Sequence, residues 1–483
     1  MENFLSRKNI LAAILFLVFI AANSLLLIHE LFWLALLPIV GIIVYILFVS
    51  PNWFLLLLSL LTPLSFTFEL TELGSSISLP TEPLLMVLTV VYILKVLIEG
   101  KFNKELLKHP ITIAILFNLF WMLITSISST IPLVSLKFLA ARIWYVAVFY
   151  FMGVELFKNY KSLKLFIWFF SITLVVAVIY TLIRHSQHFF TQEWANKVTY
   201  PFFKDHTIYG AIIALLLPFM IGFFIAPKIF KLSRFERYFA GIFTLILIVG
   251  LIFSYTRAAW VSIIISAAFM IILFLRVRFV YLMIVALLAI GTTLTYWSKI
   301  QMKMDRTESV SSDDMKDHFE SISNITTDVS NTERINRWMS AIRMFKEKPL
   351  LGWGPGTFMF NYAPFQLDRE KTAISTNFGT LGNAHSEYLG PLSESGFLGM
   401  LSFIVIVVLI IAYGMKIFYN SNNRQIKYLT LLILLSLTTY LSHGVMNNFL
   451  HTDKASVPFW ALIAMLTVID MHANKLTQAN EKN

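Results

Sequence analysis

GFLGMLSFIVIVVLIIAYGM, residues 396–415, is twenty residues long and carries no charged side chain. A hydrocarbon core about 30 Å thick is crossed by about 20 apolar helical residues. The stretch therefore reads as a membrane span. Comparable runs recur along the chain from Ile10 to Val468. The whole 483-residue chain is 58% hydrophobic and only 13% charged. A soluble domain carries roughly 25% charged residues. The expected fold is all-α: a polytopic transmembrane helical bundle.

Fourteen candidate spans follow from hydropathy: 10–28, 31–49, 52–68, 82–98, 110–128, 141–157, 163–183, 207–226, 236–254, 257–275, 278–297, 396–415, 427–445 and 456–472. Segments 52–68 and 141–157 also admit a tilted or re-entrant reading, which lowers the expected count to 12. Arg7 and Lys8 precede the first run, and no small-residue cleavage site follows it, so it reads as a retained helix. There are no cysteines, which excludes disulfides, thiolate metal sites and a cysteine nucleophile. The net charge is +11. Its distribution favours topology and lipid phosphate over nucleic acid.

With the N-terminus in the cytoplasm, the inside segments hold 20 of the 38 Lys and Arg residues and the short outside segments 7. The remaining 11 fall in one long loop. Long loops are largely exempt from the positive-inside rule, and the short ones obey it. Three regions result: N-terminal spans (1–297), a long outside loop (298–395), and C-terminal spans with a short cytoplasmic tail (396–483). The loop opens with a polar stretch, 304–330, whose composition suggests mobility. NTERINRWMSAIRMFKEKP, 331–349, follows with Ile335, Trp338, Met339, Ile342 and Phe345 at helical spacing. It reads as an amphipathic helix, suited to the membrane surface. GWGPGTF, 352–358, reads as a turn, because it lacks the Lys-Ser/Thr of a phosphate-cradling loop.

The loop ends in NAHSEYL, 383–389. Asn383 is a good N-cap, which would put His385 in a first helical turn and disfavour its imidazolium form. A neutral outside-facing histidine can act as general base toward a sugar hydroxyl, or simply cap and pack. Glu394 has three readings open: a partner for His385, a partner for an arginine, or a marker of the membrane edge. Arg257 sits in a tight outside turn, SYTRAAW, and Arg142 at the expected start of its span. Arg334 and Arg337 lie on the loop helix, where Glu333 can pair Arg337 at four-residue spacing. Guanidinium forks suit phosphate, although any single one is more often a snorkelling anchor. Lys204, Asp205 and His206 precede a span and can line a cavity. Tyr388 offers a sugar-stacking face or ordinary packing. His185 and His188 have metal-like spacing without a third ligand, so no metal and no cofactor are expected. The absence of Asp-x-Asp and Walker motifs argues against a nucleotide-linked substrate.

NAHSEYLGPLSESGFLGM, 383–400, resembles the O-antigen ligase and polymerase superfamily of bacterial membrane glycan transferases. The shared features are His385-Ser386, Tyr388-Leu389 and Glu394-Ser395-Gly396 before a span. Arg334-x-x-x-Trp338, Pro349 to Gly352, Gly354-Pro355-Gly356-x-Phe358 and the SYTRAAW arginine extend the likeness over roughly 250–400. The resemblance implies an inner-membrane enzyme acting at the periplasmic face. It implies an undecaprenyl-diphosphate-linked glycan donor, a catalytic His385, and arginines (Arg257, Arg334, Arg142) on the diphosphate. The leading expectation is an O-antigen ligase that transfers the glycan to a lipid A–core acceptor. Alternatives are a polymerase extending a growing glycan on the same carrier, a protein O-oligosaccharyltransferase, or, from another class, a glycolipid flippase. Transporters usually hold charges in mid-span, whereas here the polar groups gather on one loop.

Overall fold

The computed structural model describes Ser24 and residues 50–70, 75–100, 103–304, 329–372, 375 and 382–481. The expected spans 10–28 and 31–49 and most of the polar stretch 304–330 lie outside the described residues. The chain forms two compact units, Met1–Phe54 and Leu55–Asn483. The second carries everything that follows.

Helix α1 (Pro51–Leu61) ends in a short 3-10 turn, and a hairpin of β1 (Phe66–Leu70) and β2 (Ser75–Leu79) follows, with Phe66 opposite Leu79. Then come α2 (Thr81–Glu99), α3 (Pro110–Ile127), α4 (Pro132–Phe157), α5 (Tyr160–Ser186), α6 (His206–Ile225), α7 (Arg234–Ile252) and α8 (Arg257–Phe274). After them are α9 (Phe279–Met304), the loop helix α10 (Val329–Glu347), α11 (Leu389–Asn420), α12 (Arg424–His443) and α13 (Asp453–Glu481). Ten helices among the described residues, α2 to α8 and α11 to α13, are long and apolar enough to cross a membrane. The protein is a polytopic all-α membrane protein.

Local chemistry sets the helix starts. Proline occupies the first turn of α3 and α4, where its missing N–H costs nothing. Asn159 caps α5, Asp205 caps α6, and Ser233 with Glu236 forms a capping box on α7. Helices α6, α12 and α13 form the buried centre. Peripheral α3 turns Ile113, Phe120 and Ile127 outward, a face that suits lipid rather than water.

Polar contacts sort the helix ends into two sets. At one end Thr81 donates to Asp453 at 2.6 Å and Lys454 to the Ser65 carbonyl at 2.7 Å. At the other, His109 meets Asp470 at 3.3 Å and Lys164 pairs with Glu236 at 2.8 Å. The first set is the one that the charge pattern assigns to the outside.

Two expectations change. Segment 52–68 is not a full span: α1 stops at Leu61, Pro63 sits in the 3-10 turn that follows, and residue 66 begins a strand. Segment 278–297 falls within α9, a continuous helix from Phe279 to Met304. Segment 141–157 belongs to α4, which begins at Pro132 and passes through a π-helical stretch, Val146–Met152. Arg142 is therefore well inside its helix and buried, not at the span's start. Lys137 and Ser135 had masked that first part by lowering its hydropathy.

Candidate active site

The site begins with a break in α11. Gly396 has φ +70° and ψ −168° inside the helix, a backbone that glycine adopts without steric cost. The carbonyls of Ser393, Glu394 and Ser395 accept from outside the helix: from Trp353 N–H at 3.1 Å, Gly354 N–H at 2.7 Å and the Trp121 indole at 2.8 Å. Phe397 N–H in turn donates to the Pro349 carbonyl at 2.9 Å. A side chain at Gly396 would lie 2.1 Å from the Leu350 carbonyl oxygen, so the close approach also requires glycine. The GWGPGTF turn is thus sewn to the broken helix. Glu394 adds its carboxylate to the seam, accepting from Phe358 N–H at 3.0 Å. The described contacts give it this turn as partner rather than His385.

His385 lies on the short segment that enters α11. The expected helix start at Asn383 is corrected: α11 begins at Leu389. Asn383 does accept from His385 N–H at 2.9 Å, but the chain then turns through φ +46° at His385. Such a backbone costs roughly 1 kcal/mol or more for a non-glycine residue and persists only where its surroundings hold it. The Trp338 indole donates to the His385 carbonyl at 3.1 Å. Ser386 Oγ accepts from Tyr388 and Leu389 N–H, both at 3.3 Å, and so caps the true helix start.

His385 is half-buried. Burial first, then the Arg334 and Arg337 cations, holds its pKa down at about 4. Its neutrality thus comes from burial and these cations, rather than from the expected helix terminus. Arg334 also acts electrostatically on His206 and His443, and Arg257 acts on His206. Asp205 lies within reach of all three histidines. A specific bond brings the distant segments together: the Thr256 hydroxyl, beside Arg257, donates to the His206 carbonyl at 2.8 Å. His385, His206, Arg257 and Arg334 are all half-buried.

Residues 242–404 match the sequence model of the O-antigen ligase family. The match covers about a third of the chain, which over those residues is similar to that family. The match spans the start of α8, the loop and the broken part of α11, and so contains Arg257, Arg334, Arg337, His385, Tyr388 and Glu394. A search of curated proteins finds no match. The ligase-family segment does not complete the cluster alone: Asp205, His206 and His443 come from outside it.

The other candidates divide clearly. Arg337 is buried, donates from Nε to Glu333 at 2.6 Å and stacks 4.1 Å from the Tyr362 ring centroid. Arg142 lies over the rings of Phe138 and Trp460, at 5.7 and 6.0 Å, facing a small cavity that Glu387 also lines. Lys204 is exposed. It shares an electrostatic neighbour, His451, with Arg142 and Asp205. Tyr388 packs edge-on to Phe403 and donates to the Leu441 carbonyl at 3.1 Å. His185 bonds the Thr191 carbonyl at 2.8 Å, while His188 stacks on Trp194 at 3.5 Å. Glu387, His443 and His451 were missed in the sequence. The only cue for Glu387 was its place two residues after His385. The two histidines carry no motif signal.

Proposed function

We propose that the protein transfers a glycan from an undecaprenyl-diphosphate-linked donor to a lipid A–core acceptor, at the periplasmic face of the bacterial inner membrane. The observation that supports this reading best is the half-buried cluster of His385 with Arg334, beside His206 and Arg257, within a segment of ligase-family sequence. In this reading His385 takes the proton of the attacking acceptor hydroxyl. The hydroxyl oxygen forms the new bond to the anomeric carbon as the sugar–phosphate bond breaks. The electron pair leaves on the lipid diphosphate, where Arg257 and Arg334 stabilise the growing negative charge. Single displacement inverts the anomeric centre, and the product's configuration reads this directly.

The depressed pKa of His385 gains a purpose here. A free base at about 4 is weak. A diphosphate bound at the arginines offsets their charge and raises the basicity of the imidazole. The base then strengthens when the donor is in place.

Two experiments test the reading. His385→Ala should abolish transfer from a lipid-linked donor while the purified protein keeps its elution profile; retained transfer defeats the mechanism. In a deletion strain, envelope glycan should be lost while long chains stay on the carrier. Accumulation of single repeat units would instead indicate a polymerase.

A further inference from the structure

In His385-Ser386-Glu387-Tyr388 the glutamate is held far more firmly than the histidine. Glu387 is buried. Its Oε1 accepts from the Tyr440 hydroxyl at 2.7 Å, Phe449 N–H at 2.6 Å and Leu450 N–H at 2.8 Å. Its own N–H donates to the Gly444 carbonyl at 2.8 Å. These bonds tie the chain, two residues beyond His385, to the end of α12 and the turn before α13. Both partner segments lie outside the ligase-family match.

On its other side Glu387 faces a cavity of about 30 Å³, lined also by Arg142, Asn118, Trp121 and Ser395. Among the charged groups acting on Arg142, Glu387 is the strongest. A buried guanidinium inside a span needs a compensating group, and Glu387 lines the same cavity. The Trp121 indole already donates to Ser395, and Asn118 to Ser402 at 2.7 Å, so the cavity wall is fixed. His385, with its left-handed backbone, lies two residues before this clamp, its carbonyl held by the Trp338 indole.

We propose that Glu387 is a positioning residue for His385, anchored by the α12–α13 turn and charge-compensated by Arg142. The proposal rests on His385 acting as the base. It gives Arg142 a task other than gripping the donor diphosphate. Displacing a catalytic group by a fraction of an ångström slows the chemical step while leaving substrate binding intact.

The test is steady-state kinetics on the full-length protein in lipid nanodiscs, with lipid-linked donor and purified acceptor. Glu387→Gln keeps the shape and removes the charge. It should lower kcat about 100-fold with donor KM within about twofold of wild type. Arg142→Gln should show the same split, and the double variant should be no worse than the poorer single one. Wild-type kcat in Glu387→Gln overturns the proposal. So does a rise in donor KM at unchanged kcat in Arg142→Gln, which would return Arg142 to the diphosphate. If Glu387→Gln fails to fold, Tyr440→Phe removes only one donor to the carboxylate. It should cost about tenfold in kcat at constant KM, and an unchanged kcat again overturns the idea. His385→Ala in the same assay separates the two levels: transfer retained there defeats the functional reading itself, whatever Glu387 does.

Discussion

Arg334 and Arg337 sit three residues apart on α10, yet their surroundings differ. Arg337 is closed in: Glu333 holds its Nε at 2.6 Å and the Tyr362 ring covers its face. Arg334 is half-buried and acts on His385, His206 and His443. A carboxylate one turn earlier and an aromatic lid make Arg337 a part of the scaffold. Arg337 also acts on His385, but less than Arg334 does, and Arg334 acts on His206 and His443 as well. What separates the two cations is their reach: a carboxylate and a ring enclose Arg337, while Arg334 acts on three imidazoles.

Substitutions can break this comparison. The largest effect is expected from Arg334→Ala, which should lower kcat/KM about 100-fold or more, as loss of a transition-state donor does. Its thermal midpoint should hardly move. Arg337→Ala should do the reverse. Buried Glu333 then keeps its bonds from Thr372 and Ser375, and the lost charged bond should cost about 2 kcal/mol, seen as a lower melting temperature in nanodiscs. If Arg337→Ala melts like wild type but cannot turn over, the division is wrong. A subtler contrast uses pH. A base works once deprotonated, so kcat/KM for wild type should rise through about pH 4 and level off above it. Removing the Arg334 charge raises the pKa of His385, so Arg334→Gln should move that rise to higher pH. An unmoved limb would detach Arg334 from the imidazole. The smallest effect belongs to Tyr388→Phe, which loses the bond to Leu441 and about 1 kcal/mol of stability.

Much of the fold was legible because lipid imposes a simple rule on sequence. The runs that became α2, α3, α5 to α8 and α11 to α13 were plain from hydropathy. Segment 52–68 failed because average hydropathy cannot register one proline in the wrong place. The amphipathic pattern of 331–349 did give a helix, but not its buried face. Glu333, Asn336, Arg337 and Ser340 are buried, whereas Trp338, Met339, Ile342 and Phe345 are only half-buried. Periodicity locates a stripe but cannot say that the facing surface is polar: Asn336 bonds Gln366 at 2.8 Å. Within the candidate site, His385, Arg334 and Arg257 could be singled out because short motifs surround them. Glu387 and His443 were not, because their significance comes from contacts with residues tens of positions away. Asn383 misled for a local reason: it makes the expected bond to His385 N–H, but the chain turns before a helix can follow.

The break at Gly396 has a consequence for how the protein is made. Three successive carbonyls, at 393, 394 and 395, have their described partners in the 353–354 turn and on α3. An isolated α11 entering the bilayer would present these groups to hydrocarbon, where an unpaired backbone oxygen is costly. The preceding loop and α3 must therefore both be in place before the upper part of α11 can settle. Biogenesis of the twenty-residue run that first announced a membrane protein is thereby coupled to delivery of the loop that precedes it.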